Sequence, residues 1–534
     1  MRRATSLLAL ARTAHSLAAP NSLLRGRKMS AMASKATVVW LRDELRVHDN
    51  ALLAEAARRG APVLPVFCLD PRVFDASAKS DLGSSQKTGA RRAKFVLESL
   101  EDLRGSLKDL GSGLVVRRGS PRQVLADICE ELGDDVAIIS SEAACSEEQK
   151  DEAAVSEIAP LTKVWDGTLY HRDDLAYIPF KDQFTAWRTS VEKGDTPVRA
   201  DCFARPRDLP APPACSGLDD AIPSLNDLGY GDASVDKRGD FFDPRGGEAA
   251  ALERLQRYVW DEDRLRTYFD TRNGMVGQGY STKFAPWLAR GCLSPRRVAH
   301  ECAKYEQKRV ANKSTYWVKF ELTWRDYFVY YAHKYGEKLF FPYGVKGSSQ
   351  KWRVDSNALR AWKEGRTGAP LVDANMRELR ATGFMSNRGR QNVASYLVHD
   401  LGLDWRLGAE HFEELLVDYT PESNWGNWHA AAGLSGGRIN RFNILKQSKD
   451  YDADGQYVKL WCPELAKVPA PSCHTPWLLS TADKDRYGAA DYPPPLKTLG
   501  FKGGKPPPKK AKGGDRDKIK AKRRQKSRVQ AAYL

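Results

Sequence analysis

The sequence has no run of about 18 apolar residues, so no helical membrane span is expected in it. Its nine cysteines (68, 129, 145, 202, 215, 292, 302, 462 and 473) are odd in number and scattered, with no C-x-x-C. That pattern suits reduced thiols and argues against a disulfide framework or a zinc site. No G-x-G-x-x-G follows the first apolar run, so the usual dinucleotide fingerprint is missing. There is no internal repeat, and no acid occurs before Asp43. Aromatic residues, by contrast, are plentiful. With 14 Trp, 20 Tyr and 18 Phe in 534 residues, disorder throughout is excluded, and the length suggests three or so domains.

The net charge of +16 sits at the two ends. Residues 1–40 contribute +7 and residues 501–534 contribute +11, which leaves −2 for 41–500. A nucleic-acid site in the body must therefore be a local patch. Residues 1–35, rich in Arg, Ser and Ala with apolar residues at helical spacing, read as an organellar transit peptide for chloroplast or mitochondrion. A disordered basic arm is the alternative. The basic tail can bind DNA or RNA through salt-dependent contacts, or be a solvated extension.

Short apolar runs at 36–41, 62–69, 113–118, 136–140 and 162–165 alternate with helix-like stretches such as 51–59, 90–110 and 121–132. This predicts an α/β domain over 36–170, a doubly wound parallel sheet covered on both faces. Residues 171–250, rich in Pro, Gly and Asp, read as an inter-domain connector. Residues 251–462 read as all-helical, and 463–534 as a Pro-rich, then basic, disordered tail.

Three clusters in the helical part carry chemistry. In T-Y-W-V-K-F-E-L-T-W-R-D-Y-F (315–328), Trp317, Glu321, Trp324 and Phe328 share one helix face. If that face is core, Glu321 is a buried charge needing a partner; if it lines a cavity, Glu321 is an acid group and Trp324 a stacking platform. In G-F-M-S-N-R-G-R-Q-N (383–392), Asn387, Arg388, Arg390 and Gln391 open a helix, an arrangement that favours anions or is ordinary capping. In G-Y-S-T-K-F-A-P-W (279–287), Ser281, Thr282 and Lys283 can wrap a pyrophosphate or form an N-cap. Finally N-W-G-N-W-H (424–429) crowds two indoles and two amides into six residues.

Together with W-L-R-D-E-L-R-V-H-D-N (40–50), the long stretch from L-V-D-A-N-M-R-E-L-R (371–380) to A-E-H-F (409–412) and Y-D-A-D-G-Q-Y-V-K-L-W (451–461), these motifs resemble the photolyase/cryptochrome family. The similarity is to its DASH-type branch and covers roughly 36–465. The resemblance implies an FAD in the helical domain, held by Tyr268, Ser281, Thr282, Lys283 and Phe284, with Asn387 and Thr420 nearby. It implies that Asn424 faces the flavin N5 edge, favouring reduced anionic flavin, and that Arg390 and Asp418 pair beside the ring. Trp428, Trp405 and Trp352 match an electron-transfer chain running from flavin to surface. Glu321, Trp324, Asn387 and Gln391 match the wall of a pocket for a cyclobutane pyrimidine dimer flipped out of single-stranded DNA. Glu147 matches a contact to a methenyltetrahydrofolate antenna.

The chain departs from that pattern in places. D-Y-T (418–420) replaces D-Y-D, Ala285 replaces a common serine, and Asn427-Trp428-His429-Ala430 replaces N-W-T-Y. The missing aromatic at 430 weakens lesion stacking by about 1–3 kcal/mol. The expected function is light-driven repair of pyrimidine dimers in single-stranded DNA by a monomer. The alternatives are a blue-light photoreceptor or redox-signalling flavoprotein, and an organellar nucleic-acid-binding protein working through its tail.

Overall fold

Strands β1 (Ala36–Leu41), β2 (Val63–Leu69), β3 (Val115–Arg118), β4 (Val136–Ser141) and β5 (Leu161–Val164) form one parallel sheet in the order β3-β2-β1-β4-β5. The computed structural model describes residues 35–499 apart from 134, 200–205, 232, 436–438 and 440. The transit peptide expected over 1–35 and the basic tail beyond 499 therefore lie almost wholly outside the described residues.

Every residue of β1 and β2 is buried, because side chains alternate between two cores. Val39, Leu41, Val63, Phe67 and Leu69 enter the larger core, which runs on into the helical domain. Val38, Trp40, Leu64 and Val66 enter a smaller one, closed by Val124, Leu125 and Ile128 of the Pro121–Leu132 helix. Each fully buried Leu, Val or Ile here contributes about 1.5–3 kcal/mol by area. Helix Ala51–Arg59 starts where Asn50 Oδ1 accepts from the Leu52 and Leu53 amides and stops at Gly60, φ 71°.

The loop after β1 latches the two domains together. Asp166 accepts from Arg46 Nη2 and from Arg296 Nη2, both at 2.7 Å, and Arg296 Nε reaches Asp49 at 2.9 Å. All four side chains are out of solvent, so each charge is offset by a direct partner. Glu248 adds a second clasp, accepting from the Val47 and His48 amides and lying 2.6 Å from His48 Nδ1.

Between the domains, 171–250 contains the helix Phe184–Lys193 and buries Trp187, Leu209 and Tyr230 against the larger core. The segment 463–499, expected to belong to a disordered tail, instead packs on the helical domain. Val468 and Cys473 are buried, Tyr492 Oη donates to Asp373 Oδ2 at 2.6 Å, and the Leu496 amide donates to Thr367 O at 2.9 Å. Its buried apolar residues come singly along the segment, so the composition hides the docking.

Candidate functional site

Helix Pro421–Ala431 begins where Thr420 Oγ1 accepts from the Ser423 amide, with Pro421 at the first helical position. Thr420, Ser423, Asn424, Asn427, Trp428 and Ala431 recur every three or four residues and line one cavity of about 390 Å³. The other face is packed: Trp425 meets Phe340 (ring centroids 5.1 Å) and Trp405 (5.7 Å), and His429 is fully buried. Gly426 sits where a Cβ would fall 2.3 Å from Phe328 Cδ1, so no side chain fits there. Helical phase thus sets both amides and Trp428 of N-W-G-N-W-H at the cavity and Trp425 in the core.

One wall of the cavity is built from Tyr268 and Ser281 to Phe284. Buried Arg254 pins this loop, donating to Thr282 O at 3.0 Å and to Ser281 O at 3.3 Å. Lys283 adopts a left-handed backbone, φ 60°, and its Nζ lies 3.7 Å from the Tyr280 ring centre and 3.8 Å from that of Phe384. Among the described residues it has no ion-pair partner, and burial lowers its pKa to about 7. Behind it Glu378, hydrogen-bonded by Tyr457, is pushed by burial up to about 7. A buried amine that is held between rings and lacks an ion-pair partner leaves room for an anion.

Arg390 and Asp418 pair at 2.8 Å on the cavity surface, and Asp418 Oδ1 is buried without a hydrogen-bond partner. Asn424 Nδ2 donates to Ala409 O at 3.0 Å, which leaves its carbonyl oxygen to the cavity. Asn387 and Gln391 come from the start of the Asn387–Ser395 helix, where Ser386 Oγ caps Gly389. Glu321 Oε1 accepts from Trp317 Nε1 at 2.9 Å and lies 3.5 Å from Arg272; burial raises its pKa.

Thirteen of the residues singled out in the sequence therefore line one space: Tyr268, Ser281, Thr282, Lys283, Phe284, Glu321, Asn387, Arg390, Gln391, Asp418, Thr420, Asn424 and Trp428. Trp324 does not join them. It stacks on Phe184 with ring centroids 3.5 Å apart and has Phe328 at 5.7 Å, so one face of the indole is taken by protein. Trp428 packs edge-on to Phe412 (5.1 Å) and Trp362 (6.0 Å); Trp405 lies behind the cavity, and half-buried Trp352 donates to Pro342 O at 2.8 Å. Glu147 is exposed and pairs with Lys87 at 2.8 Å.

The helix Trp405–Leu415 approaches Trp428 through Gly408, where a Cβ would fall 2.3 Å from Trp428 Cη2. Gly408→Ala is accordingly expected to cost about 1–3 kcal/mol by overpacking, seen as a lower melting temperature with altered tryptophan fluorescence. An unchanged melt would show the indole free to move. Sequence reasoning also overlooked Arg254 and Arg272, and read Asn427 as packing although it lines the cavity. Asn427 was legible from its three-residue step beyond Asn424, but nothing local marks the two arginines.

A second cavity of about 230 Å³ lies at the C-terminal ends of β1, β2 and β4, where the strand order reverses. Arg42, Asp70, Ser141, Glu148 and Glu422 line it, and Ala289, Arg325 and Thr420 belong to both cavities. Glu148 is raised to about 8 by burial and by the charge of Glu422. Among the described residues no cluster of metal-binding side chains occurs, and no helix is long and apolar enough to cross a membrane.

Residues 37–211 match the family model described as DNA photolyase, and 317–500 match the FAD binding domain of DNA photolyase. Cryptochrome DASH of Xenopus laevis is 47% identical over 463 residues, 84% of this chain and 86% of that protein. Cryptochrome DASH, chloroplastic/mitochondrial, of Ostreococcus tauri is 45% identical over 504 residues, 86% of this chain and 90% of that one. The crystal structure of a cryptochrome from Synechocystis sp. superposes with a TM-score of 0.81 at 42% identity, covering 87% of this chain and 96% of that one. Most of the large cavity's lining lies in the matched FAD-binding stretch, and its unpaired Lys283, orphaned acceptor and apolar walls fit a cofactor with a pyrophosphate and a planar ring.

Proposed function

Because the chain belongs to the photolyase/cryptochrome family, we propose that it is a blue-light-driven flavoprotein that repairs cyclobutane pyrimidine dimers in single-stranded DNA. Bound FAD supplies the one-electron chemistry when it is excited. The protein's own groups do the rest. Lys283, with the hydroxyls of Ser281 and Thr282, holds the pyrophosphate. Arg390, Asp418 and Thr420 hold the ring, and Asn424 offers an amide to its N5 edge. Trp428, Trp405 and Trp352 supply electrons from the protein side.

The observation that carries the repair reading is that Glu321, Asn387 and Gln391 line the same cavity as Asn424 and Asp418. A base flipped into that space meets a carboxyl and two amides, the donors and acceptors that read base edges. Trp324 is absent from this lining, and Phe184 takes one of its faces. Illuminating the purified, reduced protein with a dimer-containing single-stranded oligonucleotide should remove the dimer. No loss of dimer at full FAD occupancy would sink the repair reading.

The covered face of Trp324 and the alanine at 430 favour a second reading, a photoreceptor with little repair activity. Under either reading the N-terminal residues are an organellar address, like that named for the Ostreococcus relative, and Glu147 is the contact for a methenyltetrahydrofolate antenna.

A further inference from the structure

We propose that the oxidising hole formed on the tryptophan chain has a second exit, from Trp405 through His429 and Tyr331 to Tyr335, where it is trapped as a neutral tyrosyl radical. This rests on the reading of Trp428 and Trp405 as electron donors. It adds a residue, and a branch, that the three-tryptophan chain does not contain.

The route is a series of ring contacts. Trp405 meets His429 edge-on at 6.0 Å between centroids, His429 meets Tyr331 at 5.8 Å, and Tyr331 meets Tyr335 at 4.7 Å. The two tyrosines are four residues apart at the end of helix Lys313–Tyr335, one turn above each other. Trp405, His429 and Tyr331 are buried, and Tyr335 is half-buried. His429 Nε2 accepts from the Val345 amide at 3.1 Å, and burial lowers its pKa to about 4, so the bridge is a neutral imidazole that does not repel a positive hole.

Where the hole stops is decided by bases. A phenol is readily oxidised only if its proton can leave with the electron. Trp405 Nε1, His429 Nδ1 and Tyr331 Oη are buried with no hydrogen-bond partner, so neither Trp405 nor Tyr331 has a base to receive a proton. Tyr327 and Tyr330 donate to the backbone carbonyls of Asp182 and Tyr170, which are not bases. Trp352 likewise faces only Pro342 O. Tyr335 is different: its Oη donates to Asp182 Oδ1 at 2.6 Å. Asp182 also accepts from Lys334 Nζ at 2.6 Å and Lys346 Nζ at 3.1 Å. The bond from Lys334, with those from Tyr335 and Lys346, holds its pKa at about 2, so near neutral pH it rests as a carboxylate.

The step balances on these groups. Tyr335 passes one electron to the Trp405 radical cation and its phenolic proton to the Asp182 carboxylate. Trp405 returns to a neutral indole, Asp182 becomes a carboxylic acid, and Tyr335 is left as a neutral phenoxyl radical. Asp182 is partly exposed and returns its proton to solvent.

The test uses the FAD-loaded full chain, illuminated with blue light and frozen, with tyrosine either normal or ring-deuterated. Deuteration should narrow the radical's electron paramagnetic resonance spectrum in the unaltered protein and in Trp352→Phe. The narrowing should vanish in Tyr335→Phe and in Asp182→Asn, which keeps the side chain's volume but not its base. Trp352→Phe should keep measurable photoreduction, and the Trp352→Phe/Tyr335→Phe double variant should lose roughly tenfold more, as two exits from one unit are closed. A spectrum indifferent to tyrosine deuteration, or a single Trp352→Phe variant as inert as the double, overturns the branch. Normal photoreduction in Trp428→Phe overturns the donor assignment itself, wherever the hole goes.

Discussion

Replacing Trp428 with phenylalanine is expected to lower photoreduction of the bound flavin by about a hundredfold or more, the scale of removing one member of a unit that acts together. Among the described residues Trp428 is the one indole that lines the cavity. Phenylalanine keeps an aromatic ring against Phe412 and Trp362 and fits beside Gly408, so folding and FAD binding should survive. What it removes is an easily oxidised ring. Trp425→Phe is the matched control, because Trp425 packs on Phe340 and Trp405, away from the cavity. Flavin absorbance followed under continuous blue light decides between them. Normal rates in the first variant, or equal losses in both, would refute the assignment.

Replacing Lys283 with methionine is expected to weaken FAD binding by about 3 kcal/mol, roughly a hundredfold, as when one partner of a buried charge pair is removed. Methionine fills the space between Tyr280 and Phe384, so the loss reports charge and not packing. The pH dependence follows from the same group. In the free protein burial holds Lys283 at about 7, well below the ordinary lysine value. A pyrophosphate beside it raises that value, so the bound pKa exceeds the free one. Affinity is then complete below about 7 and falls as pH rises above it, by up to about tenfold per unit, until the bound pKa is passed. Titration of the apoprotein with FAD on both sides of neutrality checks this. The methionine variant should lack that slope, and a slope unchanged by the substitution would place the titrating group elsewhere.

The sheet was legible because a strand buried on both faces is a bare apolar run, which needs no context to be read. Helix limits at 51–59 and 121–132 were legible for an equally local reason, since Asn50, Gly60, Ser120 and Gly133 cap them. The cavity was half legible. Glu321 and Trp324 share a helix stripe, but that stripe spans two surroundings. Glu321 meets the cavity, while Trp324 meets Phe184, some 140 residues away in sequence. Spacing along one helix cannot tell those neighbours apart. The same limit hid the docking of 463–499, where Val468, Cys473 and Tyr492 each enter the helical domain alone. It also hid Arg254, whose role is to hold carbonyls of a loop some 27 residues further on.

Thr420, Ala289 and Arg325 face both cavities, so a single layer of side chains separates them. Any coupling between the two spaces would run through that wall. If an occupant of the chamber at the strand ends displaces Thr420 or Arg325, FAD affinity changes by some factor. FAD must then change that occupant's affinity by the same factor, because linkage between binding equilibria is reciprocal. The threonine of D-Y-T therefore stands in the wall through which one chamber's contents would bear on the other's occupancy.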